Sequence, residues 1–237
     1  SNSSSRFFPA TKISADMPNA DDQISNERDE KGLCLKSQFP KEDSVAVGFL
    51  KFIVVSSVIN QGPAWLIYLY GNRGMYDAKI DILASYHLGW VYMSLIVLYY
   101  TRTFMVVNTL VERKDARVNL PDQYAYKVYR PPGEEQLPYV LLENEGALGR
   151  FNRAQRAYNN LMEYLPMYLA YFLLAGFVYP FPVFVNTWLH AVGRATYAIG
   201  YTHSVPRRIG GFGLFGFAQG NLEALILIAG VKALLRA

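Results

Sequence analysis

Arg156, Asn160, Glu163 and Tyr164 stand at positions i, i+4, i+7 and i+8 of one stretch. At about 100° per residue a single helical face then carries a cation, an amide, an anion and a phenol, a set able to grip a small zwitterion. A second stripe, His190, Arg194, Tyr197 and Tyr201, is spaced by four, three and four. Beyond it, Val205-Pro206-Arg207-Arg208 sets two guanidiniums at the mouth of whatever crevice the two stripes enclose. An isolated ion in a bilayer-embedded segment costs about 2.5 to 3.5 kcal/mol, so such residues imply internal pairing, a water-filled crevice or a bound polar ligand. Interfacial anchoring is the competing reading, although anchors usually sit at the end of a span as scattered Lys and Arg.

The elements that must carry these stripes read as membrane spans. The polar run Arg150–Pro166 passes without a break into the apolar Met167–Tyr179, followed by an uncharged Tyr179-Pro180-Phe181-Pro182 hairpin. A span to about Tyr201 comes next, and a last one runs from about Phe212 to Leu235. Its Gln219, Asn221 and Glu223 are expected to form interhelical hydrogen bonds, worth about 0.6 kcal/mol each. Upstream, Tyr86–Val111 is a span halted by the charged residues 112–117, and its internal Arg102 is expected to pair with an acid elsewhere in the bundle. Residues 118–149 contain Pro121, Pro131, Pro132, Gly133 and Pro138, which forbid a continuous helix and mark an extramembrane loop.

Val45–Tyr70 is apolar and long enough to span about 30 Å, but Pro63 would kink or divide a helix, so it either crosses the bilayer or lies flat on it. Gly71-Asn72-Arg73-Gly74 reads as a turn. Charged loops on one side and the bare hairpin on the other obey the charge-asymmetry rule and place the charged ends on the cytoplasmic side or its organelle equivalent. The expected fold is an all-α integral membrane protein, an antiparallel four-helix transmembrane bundle with an extra N-terminal hydrophobic helix. It divides into a flexible extension (1–43), the extra helix and turn (44–80) and the bundle (81–237). The first residues lack the apolar core of a secretory signal, which suggests a processed chain whose organelle presequence has been removed.

Composition narrows the function classes. The chain is 51% hydrophobic, with its apolar residues gathered in long blocks, as a membrane protein requires. A net charge of +4 without a basic, aromatic-lined groove gives no case for nucleic acid. Cys34 is the sole cysteine, which excludes a disulfide framework, and His87, His190 and His203 lack ligand spacing, so no metal is expected.

Phe151-Asn152-Arg153-Ala154-Gln155-Arg156-Ala157 with Asn160, Glu163 and Pro166, and the block Gly193-Arg194-Ala195-Thr196-Tyr197-Ala198-Ile199-Gly200-Tyr201, resemble the family of membrane-associated proteins in eicosanoid and glutathione metabolism. A weaker match is Ala116-Arg117-Val118 with Leu120-Pro121 and Tyr124-Ala125. The resemblance implies a trimer of four-helix bundles, with glutathione held between subunits near one membrane face. It implies that Arg156, Asn160, Glu163 and Tyr164 hold glutathione from one helix, with Arg194, Tyr197 and Tyr201 from the next. Arg113 and Arg117 would reach a neighbour's ligand, and Arg208 would lie beside the glutathione sulfur as the catalytic group. Tyr158 stands where relatives often carry Gln or His, the loop is longer than usual, and the first 80 or so residues have no counterpart in the family's compact core.

The implied chemistry is a glutathione transferase or peroxidase, in which the thiolate attacks a hydrophobic electrophile or lipid hydroperoxide delivered from the bilayer. Glutathione is the co-substrate, and the membrane is that of the endoplasmic reticulum or of an organelle, mitochondrial or plastid. The alternative is a non-catalytic structural or lipid-binding subunit of a larger membrane complex, because a retained fold does not prove turnover.

Overall fold

The computed structural model describes residues 29, 33–35, 44–129 and 139–237. The flexible extension expected over 1–43 therefore lies outside the described residues, save residues 29 and 33–35, as does the proline-rich centre of the loop, 130–138.

Helix α1, Val45–Tyr70, runs unbroken through Pro63. The proline deprives only the Ile59 carbonyl of its donor, a loss that isolated spans tolerate. A two-residue link leads to α2, Arg73–Ser85, where a turn alone was expected. The Asn72 side chain caps this helix by accepting from the Met75 N–H at 3.2 Å, and Arg73 pairs with Asp77 across one turn at 3.5 Å.

Helix α3, Gly89–Ala116, continues through the charged residues that seemed to end it. Hydropathy marks where a helix leaves hydrocarbon, and that is one turn or more before the hydrogen-bond ladder stops. The stop itself is Arg117, whose left-handed φ of 54° lets its N–H close on the Arg113 carbonyl.

The protein is all-α in class as expected, but the loop that follows is not wholly irregular. Strands β1, Tyr126–Tyr129, and β2, Tyr139–Leu142, pair antiparallel in the register Tyr126↔Leu142 to Tyr129↔Tyr139. Alternating β-branched and aromatic residues carry that signal, but proline content outweighed it in the sequence. Helix α4, Gly146–Val178, begins inside the predicted loop and passes through Pro166. Tyr179 alone separates it from α5, Pro180–His203, where Pro180 takes a first-turn position that needs no N–H. A single 3-10 turn, Pro206–Arg208, leads into α6, Ile209–Leu234.

Helices α3 to α6 form an up-down-up-down bundle. Val91 near the start of α3 packs with Ala175 near the end of α4 and Val183 near the start of α5. At the other end Asn108 of α3 donates to Thr202 of α5 at 2.9 Å, and Thr109 reaches the Ala154 carbonyl of α4 at 3.4 Å. Leu222 joins the first cluster and Phe215 a second one around Met105, Leu161 and Tyr197, which fixes α6 antiparallel to α5.

Among the described residues four helices are long and apolar enough to cross a membrane: Val45–Tyr70, Gly89–Ala116, Gly146–Val178 and Pro206–Leu234. The exception in the bundle is α5, which buries Asn186, Thr187, His190, Arg194 and Thr202 and packs against α3, α4 and α6 at once. Asn186 donates to the Ala218 carbonyl at 2.8 Å and accepts from Asn221 at 3.4 Å, so Asn221 does bridge helices as expected. Gln219 instead bonds Glu223 within its own helix at 3.3 Å. Arg102 meets the Tyr158 hydroxyl at 3.5 Å and not the acid expected of it.

Helices α5 and α6 touch backbone to backbone where Gly193 and Gly211 face their neighbours. A Cβ on Gly193 would lie 2.6 Å from the Phe215 nitrogen, and one on Gly211 would collide with the Tyr197 main chain. Gly211→Ala is therefore expected to destabilise the detergent-solubilised protein by about 1 to 3 kcal/mol, the usual cost of overpacking. Thermal unfolding measures it, and an unchanged midpoint would contradict this crossing.

Candidate functional site

The first turns of α4 distribute their polar side chains to every neighbouring element. Arg150 pairs with Glu112 at 3.0 Å, tying α4 to the end of α3. Asn152 is buried and spans the base of the β ribbon: its oxygen accepts from the Ala125 N–H at 2.9 Å, while its amide donates to the Ala125 and Glu143 carbonyls at 2.7 and 2.8 Å. Arg153 donates through Nε to the Tyr201 and Thr202 carbonyls, both at 3.1 Å, and through Nη1 to the Asn144 carbonyl at 2.7 Å. It thus covers orphan carbonyls at the end of α5, with its charge at the negative end of that helix.

One turn further on, Arg156 and Asn160 open into a cavity of about 290 Å³. Its walls are Arg156 and Asn160 of α4, Tyr197 and Tyr201 of α5, Arg208 of the 3-10 turn, and Ile209 and Phe212 of α6. The Arg208 guanidinium carbon lies 5.0 Å from the Tyr201 ring centroid, within cation–π range, and the Tyr197 and Tyr201 rings are 5.6 Å apart. Two residues of each stripe, Arg156 with Asn160 and Tyr197 with Tyr201, therefore share one crevice with the downstream Arg208, whereas His190 is buried away from it against Tyr168. Two guanidiniums, an amide and two phenols meet there, and among the described residues no carboxylate is on the wall. Such a lining receives an anion, and forked guanidinium contacts suit carboxylates.

Other expected site residues stand differently. Glu163 pairs with Arg156 at 2.7 Å, both side chains about half exposed, beside the cavity. Tyr164 is exposed at the surface, its ring 5.7 Å from the Arg194 guanidinium carbon. Arg194 is fully buried behind the cavity wall and donates to the Asn160 oxygen at 2.7 Å. Arg113, expected at a neighbour's ligand, turns inward: it donates to the Val118, Asn119 and Asp122 carbonyls and lies 4.8 Å from the centroid of the Phe151 ring. Arg117 pairs with Asp29 of the N-terminal extension at 2.7 Å.

The sequence reading missed Ile209, Phe212 and Arg153. The first two are indistinguishable from ordinary span residues, and only their place within one turn of Arg208 could have flagged them. Arg153 stood in the quoted motif, but an arginine that binds carbonyls looks in sequence like one that binds a ligand.

A family model described as the MAPEG family matches residues 89–228, over half of the chain. The chain belongs to the MAPEG family. The match covers α3, α4, α5 and α6 as far as residue 228, hence every residue of the cavity. Membership and the four apolar helices make this an integral, multi-pass membrane protein. MAPEG membership also directs its function to glutathione-related or eicosanoid metabolism. No curated protein matches the chain.

Because Arg153 gathers carbonyls from α5 and from the segment before α4, Arg153→Ala leaves several of them to water. The expected loss is about 1 to 3 kcal/mol of stability, with the Tyr201 end of the cavity disordered. Thermal unfolding together with Tyr fluorescence quenching by iodide tests this, and wild-type values in both would deny the clamp.

Proposed function

We propose that this MAPEG protein is a membrane glutathione transferase with peroxidase capacity, most similar within the family to microsomal glutathione S-transferase type 3. The observation that carries the reading is the meeting of Arg156, Asn160, Tyr197, Tyr201 and Arg208 around one crevice. Glutathione brings two carboxylates and one ammonium. Arg156 and Asn160 suit a carboxylate, and Glu163, next to Arg156, suits the ammonium.

Arg208 supplies the chemistry. A free thiol has a pKa of about 8.5, and only its thiolate is nucleophilic. A guanidinium that lowers this by about two units contributes roughly 2.7 kcal/mol of differential stabilisation, within reach of a close ion pair at a partly buried site. In conjugation the thiolate sulfur bonds the electrophilic carbon and the leaving group departs with the electron pair. In peroxide reduction the sulfur takes the terminal oxygen, the O–O bond breaks and the alkoxide leaves as alcohol after protonation. A second glutathione then displaces water to give the disulfide. Ile209 and Phe212 give the apolar co-substrate a wall continuous with the lipid-facing side of α6.

A homotrimer would bring the end of α3 from one subunit toward the cavity of the next. Arg117, with a side chain 41% exposed, would make that contact by parting from Asp29, whereas the inward Arg113 holds the loop. The membrane is that of the endoplasmic reticulum or of an organelle. A second reading, a non-catalytic subunit of a larger assembly, is favoured by α1, an apolar helix outside the matched segment with most of its side chains exposed.

Calorimetric titration is expected to show glutathione binding to the purified protein. Arg208→Ala should then lower turnover about 25-fold at pH 7, as a thiol pKa rising from about 6.5 to about 8.5 dictates, and shift the pH–rate profile upward by about two units while binding persists. Equal rates and an unmoved profile would remove Arg208 from the mechanism. Absence of glutathione binding, with copurification of other subunits in fixed ratio, would favour the second reading.

A further inference from the structure

Arg194 is fully buried, and its Nε and Nη2 groups have no hydrogen-bond partner among the described residues, yet its Nη1 makes a 2.7 Å hydrogen bond to Asn160 Oδ1. The guanidinium otherwise meets aromatic faces, with its central carbon 3.7 Å from the Phe215 ring centroid and 5.7 Å from that of Tyr164. A cation held in such surroundings is costly, so the one polar contact it keeps carries much of its compensation.

That contact has a directional consequence. A guanidinium has donors only, whereas a carboxamide has an acceptor end and a donor end. Arg194 can therefore accept only one of the two amide orientations, with the oxygen toward itself and the Nδ2 group left for the cavity that Asn160 lines. The bond is charge-assisted and polarises the amide, strengthening its N–H groups as donors.

We infer that Arg194 is a positioning residue that locks Asn160 as a hydrogen-bond donor, so that this corner of the cavity selects a carboxylate of the ligand. It acts through Asn160 and touches no ligand itself, in contrast to the direct contact the sequence suggested. This rests on the glutathione reading of the cavity. Without Arg194 the amide is free to turn over and offer its oxygen, which a carboxylate rejects.

The test is a cycle of glutathione dissociation constants, by calorimetry, for wild type, Arg194→Met, Asn160→Leu and the double variant. Each single change is expected to weaken binding about tenfold, and the double variant should bind no more weakly than Asn160→Leu alone. Arg194→Lys, which keeps a donor for Asn160, should recover most of the affinity. Asn160→Asp should keep or raise the melting temperature, because the carboxylate pairs with Arg194, and yet bind about as weakly as Asn160→Leu. A purely structural role would weaken binding in both backgrounds. That result, or wild-type affinity in Asn160→Asp, overturns the inference and leaves the glutathione reading standing. If wild type binds no glutathione, that reading falls, and melting temperatures decide the coupling. Asn160→Asp raising the midpoint only when Arg194 is present supports it, and additive shifts overturn it.

Discussion

A helix inside hydrocarbon must either be apolar on all sides or turn its polar side toward other protein, since lipid offers no hydrogen bonds. Helix α5 obeys the second condition, and the arrangement of the bundle follows from it. Its buried side holds Asn186, Thr187, His190, Arg194 and Thr202, so the other three bundle helices must surround it. Only there can Asn186 find the Ala218 carbonyl, Thr202 the Asn108 amide and Arg194 the Asn160 oxygen. The glycines at 193 and 211 let α6 approach closely enough for Phe215 to cover the Arg194 guanidinium. Close packing and polar satisfaction are thus one requirement at this crossing.

Helix α4 meets a different problem, because its first turns leave the membrane among loops. The motif around Arg150–Arg156 acts as a hub in which three polar side chains serve other elements: α3 through Arg150, the ribbon through Asn152, the end of α5 through Arg153. Arg156 is the member of this run that lines the cavity. The same tying-down of α4 and α5 sets the distance between Asn160 and Tyr197, so the shape of the crevice depends on residues that never line it.

The helical plan was legible in the sequence because length and hydropathy measure the bilayer directly. The two stripes were legible because a period of 3.6 residues puts Arg156 with Asn160 and Tyr197 with Tyr201. What escaped was set by partners that periodicity cannot name. Arg113 and Arg194 look like ligand arginines in sequence, but one closes on loop carbonyls and the other on an amide. Helix α2 hid behind a Gly-Asn-Arg-Gly run, since the Asn72 cap that starts a helix also reads as a turn residue. The β ribbon hid behind prolines, and Arg102 found a phenol because Tyr158 lies across from it on α4.

Under the proposed glutathione reading, the ion pair between Arg156 and Glu163 bears on how the zwitterion enters. Both side chains are about half exposed, and such pairs contribute between roughly 0 and 1 kcal/mol. Parting them therefore costs little. A ligand that brings a carboxylate to Arg156 and an ammonium to Glu163 replaces one ion pair with two, while the surrounding helices need not move. Arg194 cannot respond in the same way, because it is enclosed by Phe215 and Asn160. On that proposed reading, the crevice combines an adaptable outer pair, Arg156 and Glu163, with an Asn160 amide held in place by the buried Arg194.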